Sequence, residues 1–88
     1  MPIISQFLGI TVRMYFGDHP PPHIHVVYSG FEALVGIRNG EVLRGSLPRR
    51  VERLVQEWIE QRRAELEANW SRAEALEPLE RIGGLDDD

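Results

Sequence analysis

The hydrophobic period changes once along this chain, and that change constrains the fold more than any other feature. Before Gly45 apolar side chains recur mostly every second residue; after Pro48 they recur every third or fourth. Alternation of period two marks a half-buried strand, and a 3.6-residue period marks an amphipathic helix. Residues 3–8 form a short apolar segment ending at Gly9. Over 10–16, Ile10, Val12, Met14 and Phe16 fall on one side, and Thr11, Arg13 and Tyr15 on the other. A second strand is predicted over His23–Tyr28, with Ile24, Val26 and Tyr28 on its apolar side. Ser29-Gly30 reads as a tight turn into a third strand over 31–37. Asn39-Gly40 is the strongest two-residue hairpin signal in the chain and leads to a short strand over 41–44.

Gly45 and Ser46 break the sheet, and Pro48 suits the first turn of a helix. Val51, Leu54, Val55, Trp58 and Ile59 then form one apolar stripe. Arg62 falls in the middle of that stripe, which resumes at Leu66, Trp70 and Ala73. Either the helix bends near Arg62–Arg63 or Arg62 reaches a partner across the core. The expected fold is α+β: an antiparallel β-meander of four to five short strands, then one long or bent C-terminal helix packed on one sheet face. A single domain is expected over residues 1–82, with a flexible acidic tail over 83–88.

Eighty-eight residues allow one modest core. The chain has no cysteine, so disulfides, thiolate metal sites and cysteine nucleophiles are excluded. It has no apolar run long enough to span a membrane and no signal peptide pattern, so a cytoplasmic location is expected. The net charge of −4 argues against broad coating of nucleic acid. All ten basic residues are arginine, which grips phosphate or carboxylate with two parallel hydrogen bonds. Arginine-only usage also follows from codon bias in a GC-rich genome.

The chemistry concentrates in Asp18-His19-Pro20-Pro21-Pro22-His23-Ile24-His25-Val26, which holds all three histidines. Proline fixes φ and lacks an N–H, so three in a row make a stiff connection. His23 and His25 lie two apart on a strand and share one face. One register allowed by the apolar pattern sets Tyr15 beside His25 and Arg13 beside Val27. Arg13, Tyr15, His23 and His25 then share the uncovered face, with Glu32 and Leu34, and Gly36 leaves room near His23. Such a group suits metal-free phosphodiester cleavage: a histidine moves a proton, Arg13 holds phosphate charge and Tyr15 orients it. The same histidines suit a divalent metal, with His19 or Asp18 as a further ligand. They also suit a purely structural role, capping the loop on its own carbonyls.

Arg49, Arg50 and Arg53 stand at the start of the helix, where positive side chains oppose the dipole. An anion site is one reading; solvated pairs with Glu52 and Glu57 are the other. Trp58 and Trp70 read as core anchors.

Several motifs resemble a small bacterial family, domain of unknown function 4160. They are Met1-Pro2-x-Ile4-Ser5-x-Phe7-x-Gly9-Ile10, Arg13-Met14-Tyr15, the Asp18-His19-x-Pro21-Pro22-His23-x-His25-Val26 loop, Gly45-x-Leu47-Pro48 and Asn69-Trp70. The likeness covers nearly the whole chain and thins after Ile82. Pro20 adds a third proline where that pattern has a variable residue. Carried onto this chain, the family pattern includes Arg13, Tyr15, His19, His23, His25 and Arg49. Its size and gene habit are similar to parts of two-gene toxin–antitoxin-like modules, which implies a small partner protein encoded nearby and RNA as target.

The expectation that follows is a toxin–antitoxin-like component acting on RNA without metal or other cofactor, with His23, His25, Arg13 and Tyr15 as catalytic residues. Arg49, Arg50 and Arg53 would bind an anion. The alternatives are a non-catalytic domain docking a partner protein, or a second copy, through its open sheet face near Leu34 and Leu43, and a metal site at His19, His23 and His25.

Overall fold

A computed structural model describes residues 2–85. Five strands form one antiparallel sheet in chain order: β1 (Ile3–Phe7), β2 (Ile10–Arg13), β3 (His23–Tyr28), β4 (Phe31–Gly36) and β5 (Val42–Gly45). A single helix, α1 (Arg49–Glu74), follows. The meander-plus-helix expectation is met, with five strands.

The helix stripe covers one face of the sheet. Ile4, Phe7, Ile10, Val12, Ile24, Val26, Ala33 and Val35 from the strands are buried with Val51, Val55, Trp58, Ile59, Leu66 and Trp70 from α1. The Phe7 and Trp58 rings pack 5.2 Å apart. Burial of each large aliphatic or aromatic side chain contributes about 1.5–3 kcal/mol, so this layer holds the helix on the sheet. Arg62 interrupts the stripe and the helix alike, with φ −115° and ψ 18°. Both readings of Arg62 hold at once. The helix kinks there, and the guanidinium donates to the Gly84 carbonyl at 3.2 Å.

The strand expected over 10–16 is shorter. β2 ends at Arg13 because its other neighbour runs out: Arg13 pairs with Ile3, the first residue of β1. Met14 stays buried and donates its amide to Pro2, and Gly17 turns the chain at φ +64°. The β2–β3 register also differs from the one expected. Arg13 faces His25 and Thr11 faces Val27, a slip of two residues that leaves every side chain on its expected face. The β3–β4 register is as expected, with Gly36 opposite His23 and Leu34 opposite His25. Asn39-Gly40 does turn the chain, with Gly40 at φ +69°. The connection is longer than two residues, because the buried Ile37 side chain takes up part of it.

The C-terminal segment lies beside β1, where the Ile82 amide donates to Ile4 at 2.7 Å. Fully buried Asn69 clasps that segment, donating to the Glu80 carbonyl and accepting from the Glu80 amide. The expected tail begins too early at residue 83. Trp58 Nε1 donates to Gly83 O at 2.7 Å, and Gly84 is buried; residues 86–88 lie outside the described part. Among the described residues no helix is long and apolar enough to cross a membrane.

Candidate functional site

The loop between β2 and β3 folds Asp18 back over the start of β3. Its carboxylate meets two imidazoles at one oxygen: Oδ2 is 3.0 Å from His23 Nε2 and 3.1 Å from His25 Nε2. Oδ1 accepts the His19 amide at 2.8 Å, which fixes the carboxylate plane. Burial opposes ionisation of Asp18. The hydrogen bonds from His25 and the His19 amide, with the charge and hydrogen bond of His23, outweigh it and hold the carboxyl below its usual range.

His23 is held on every side. It is 6% exposed, and its ring lies 5.3 Å from that of Trp70. Its Nδ1 sits 2.8 Å from the Pro21 carbonyl oxygen. A carbonyl only accepts, so Nδ1 carries the proton of this hydrogen bond. In the singly protonated ring, Nε2 then presents a lone pair towards Asp18, itself an acceptor. The arrangement is satisfied in two ways: a doubly protonated His23, or a cation between Nε2 and Oδ2.

His25 is less enclosed. Tyr15 meets it edge-on, with ring centroids 4.2 Å apart, and Arg13 stands opposite it in the ladder. Arg13 Nε is buried without a hydrogen-bond partner. A hollow on the face turned away from α1 is lined by His25, Glu32, Ala33, Leu34, Arg44 and Gly45. Asp18, His23 and His25 each offer one donor atom, all within 4.8 Å of one another, and so can hold a metal ion.

Arg13, Tyr15, His23 and His25 therefore come together at one end of the sheet. Two expectations are corrected there. His23 is not on an uncovered face, because Trp70 from the C-terminal half of α1 packs over it. His19 is exposed and lies outside the group of three that could hold a metal ion, where Asp18 stands with the two histidines. Asp18 was legible only as an alternative ligand, and its bridging role depends on how the proline loop folds. The part played by Trp70 had no sequence signal beyond its place in the apolar stripe.

Arg49, Arg50 and Arg53 are exposed and lie elsewhere. Arg50 lines a separate hollow with Leu8, Tyr28, Pro48, Val51 and Leu54. Tyr28 ends the strand that His23 begins, a run of roughly 17 Å at about 3.3 Å per residue. The hollow at Arg50 thus lies at the other end of β3 from His23.

No curated protein and no solved structure matches this chain. The model of the domain of unknown function DUF4160 matches residues 9–71. That span runs from the Gly9 turn through the Asp18–His25 loop and most of α1, Trp70 included, and the chain belongs to the DUF4160 family.

Proposed function

We propose that this chain is a component of a bacterial toxin–antitoxin-like module that cleaves RNA at the Arg13–Tyr15–Asp18–His23–His25 cluster. One observation carries the reading: His25, which borders a surface hollow, has Arg13 opposite it in the ladder, Tyr15 edge-on to its ring and Asp18 hydrogen-bonded to it. Arg13 supplies a fixed cation for the phosphate, and Tyr15 supplies a hydroxyl to orient it. The histidine–aspartate cluster, with His25 its more exposed ring, accepts the proton of the attacking 2′-hydroxyl as its oxygen bonds to phosphorus, and the protonated cluster returns a proton to the 5′-oxygen as its bond to phosphorus breaks. The geometry supports the chemistry; the choice of RNA comes from the likeness to two-gene modules.

The test uses tag-free chain, a labelled RNA and the variants His25→Ala and Arg13→Ala at equal concentration. Cleavage by wild type that is lost in both variants supports the reading. RNA left intact, or cut equally by His25→Ala, overturns it.

A second reading is docking of a small partner protein on the same face. Leu43 is 41% exposed there, beside half-buried Leu34, and paired apolar side chains on an open sheet favour contact with another surface. Copurification with the neighbouring gene product that Leu34→Asp abolishes supports docking; unaltered copurification counts against it.

A further inference from the structure

We propose that Asp18, His23 and His25 form a binding site for one divalent transition-metal ion of the zinc class. The inference names a cofactor for the site above but rests on donor geometry alone, so it stands or falls separately from the RNA reading.

The first argument is convergence. Three donor atoms of metal-ligating type, two imidazole nitrogens and one carboxylate oxygen, lie within 4.8 Å of one another. The Asp18 oxygen is 3.0 and 3.1 Å from the two nitrogens. An ion with ligands at about 2.0–2.2 Å holds neighbouring donors about 3.0–3.5 Å apart, so the Asp18 oxygen already stands at ligand spacing from each nitrogen.

The second argument is the proton inventory of His23. Its Nδ1–H is committed to the Pro21 carbonyl at 2.8 Å, so a singly protonated ring aims its Nε2 lone pair at a carboxylate oxygen. Two acceptors facing each other at that distance repel. A cation between them removes that repulsion, as a second proton on the ring would. A metal-bound imidazole characteristically donates its other N–H to a backbone carbonyl or a carboxylate, which fixes the tautomer and the ring plane. His23 already has that outer contact.

The third argument is support. Trp70 packs against the His23 ring, Tyr15 meets His25 edge-on, and the His19 amide holds the second Asp18 oxygen. The ligands are thus oriented by their surroundings, which lowers the ordering cost of binding. The donor set selects the ion. Two imidazoles with one carboxylate suit zinc and its neighbours, whereas magnesium and calcium prefer oxygen ligands. Three protein ligands leave a position for water or substrate, and His25 also borders the hollow that ends at Arg44 and Gly45.

The experiment is calorimetric titration of zinc chloride into tag-free, chelator-stripped protein, with magnesium chloride as the comparison. One zinc per chain is expected, with no magnesium binding in the same range. Asp18→Asn and His25→Gln should each weaken zinc at least about tenfold, and His19→Ala should leave it within about twofold. Imidazole nitrogen spectra of the wild type give a readout that needs no variant. Zinc should move the Nε2 resonances of His23 and His25 and leave those of His19 in place. Absence of stoichiometric zinc, unchanged affinity in Asp18→Asn, or a shift centred on His19 would overturn the proposal. RNA cleavage does not enter the result. A zinc-binding chain with no nuclease activity keeps this inference and removes the other.

Discussion

Arg13 and His25 stand directly opposite each other across β2 and β3, and Arg13 brings to that position a buried Nε with no hydrogen-bond partner. A buried donor left unpaired costs about 1–3 kcal/mol. Arg13→Met removes the donor and keeps the aliphatic stem against the sheet. Its urea midpoint should equal or exceed that of the wild type. If the chain cleaves RNA as proposed, cleavage should fall at least about 100-fold, as expected when a group holding transition-state charge is lost. A loss of stability with cleavage intact would show that Arg13 serves the fold alone.

Asp18 ties the loop to β3 and its carboxyl is held below its usual range. A carboxyl whose folded value is depressed binds fewer protons than in the unfolded chain. Its stabilisation is therefore fully present above the unfolded value near 3.8 and lost as pH falls through the lower folded value. In chelator-treated protein, urea midpoints should decline as pH drops below about 4, and Asp18→Asn should flatten that decline. Equal acid slopes for the two proteins would refute the assignment.

The parts of the site legible in the sequence were those fixed by local periodicity. Arg13 and His25 were placed on one face because a two-residue slip cannot move a side chain to the other side. Arg62 announced the kink because a charged residue interrupted an apolar stripe. What was not legible depends on tertiary closure. The nine residues from Met14 to Pro22 are too many to dictate a hairpin, so the pairing of Arg13, rather than Tyr15, with His25 was open. The same loop decides that Asp18 turns inward while His19 turns to solvent. Trp70 reads as core from its spacing, and only the packing of α1 against the end of the sheet shows that it covers His23. Asn69 belongs to a recognisable motif, yet its partner is backbone eleven residues away.

Gly45 closes β5 at φ +79°, and a Cβ there would run into the Glu32 carbonyl oxygen and crowd Ala33. The obstruction is backbone of the paired strand, which cannot move without breaking the ladder. Gly30 also has positive φ, +86°, but nothing lies within 4 Å of its Cβ position. Gly30→Ala should therefore cost only the left-handed conformation, about 1–2 kcal/mol. Gly45→Ala should cost more than that, on the order of 3–4 kcal/mol. Denaturant midpoints of the two variants separate steric from conformational cost, and equal values would refute the clash.

Trp58 is fully buried, and its indole N–H has the Gly83 carbonyl as acceptor at 2.7 Å. Arg62 reaches the neighbouring Gly84 carbonyl from the kink. A chain ending at Ile82 keeps the Ile82–Ile4 hydrogen bond but strands the Trp58 donor in an apolar core. That truncation should lower unfolding free energy by about 1–3 kcal/mol, the cost of one buried unpaired donor. Trp58→Phe removes the donor as well as part of the ring. In the full-length chain it costs both packing and a hydrogen bond; in the truncated chain it relieves an orphaned N–H. The two changes should therefore be less than additive, with a coupling of at least about 0.5 kcal/mol in a double-mutant cycle. Strict additivity would mean that the segment after Ile82 adds nothing to the Trp58 environment.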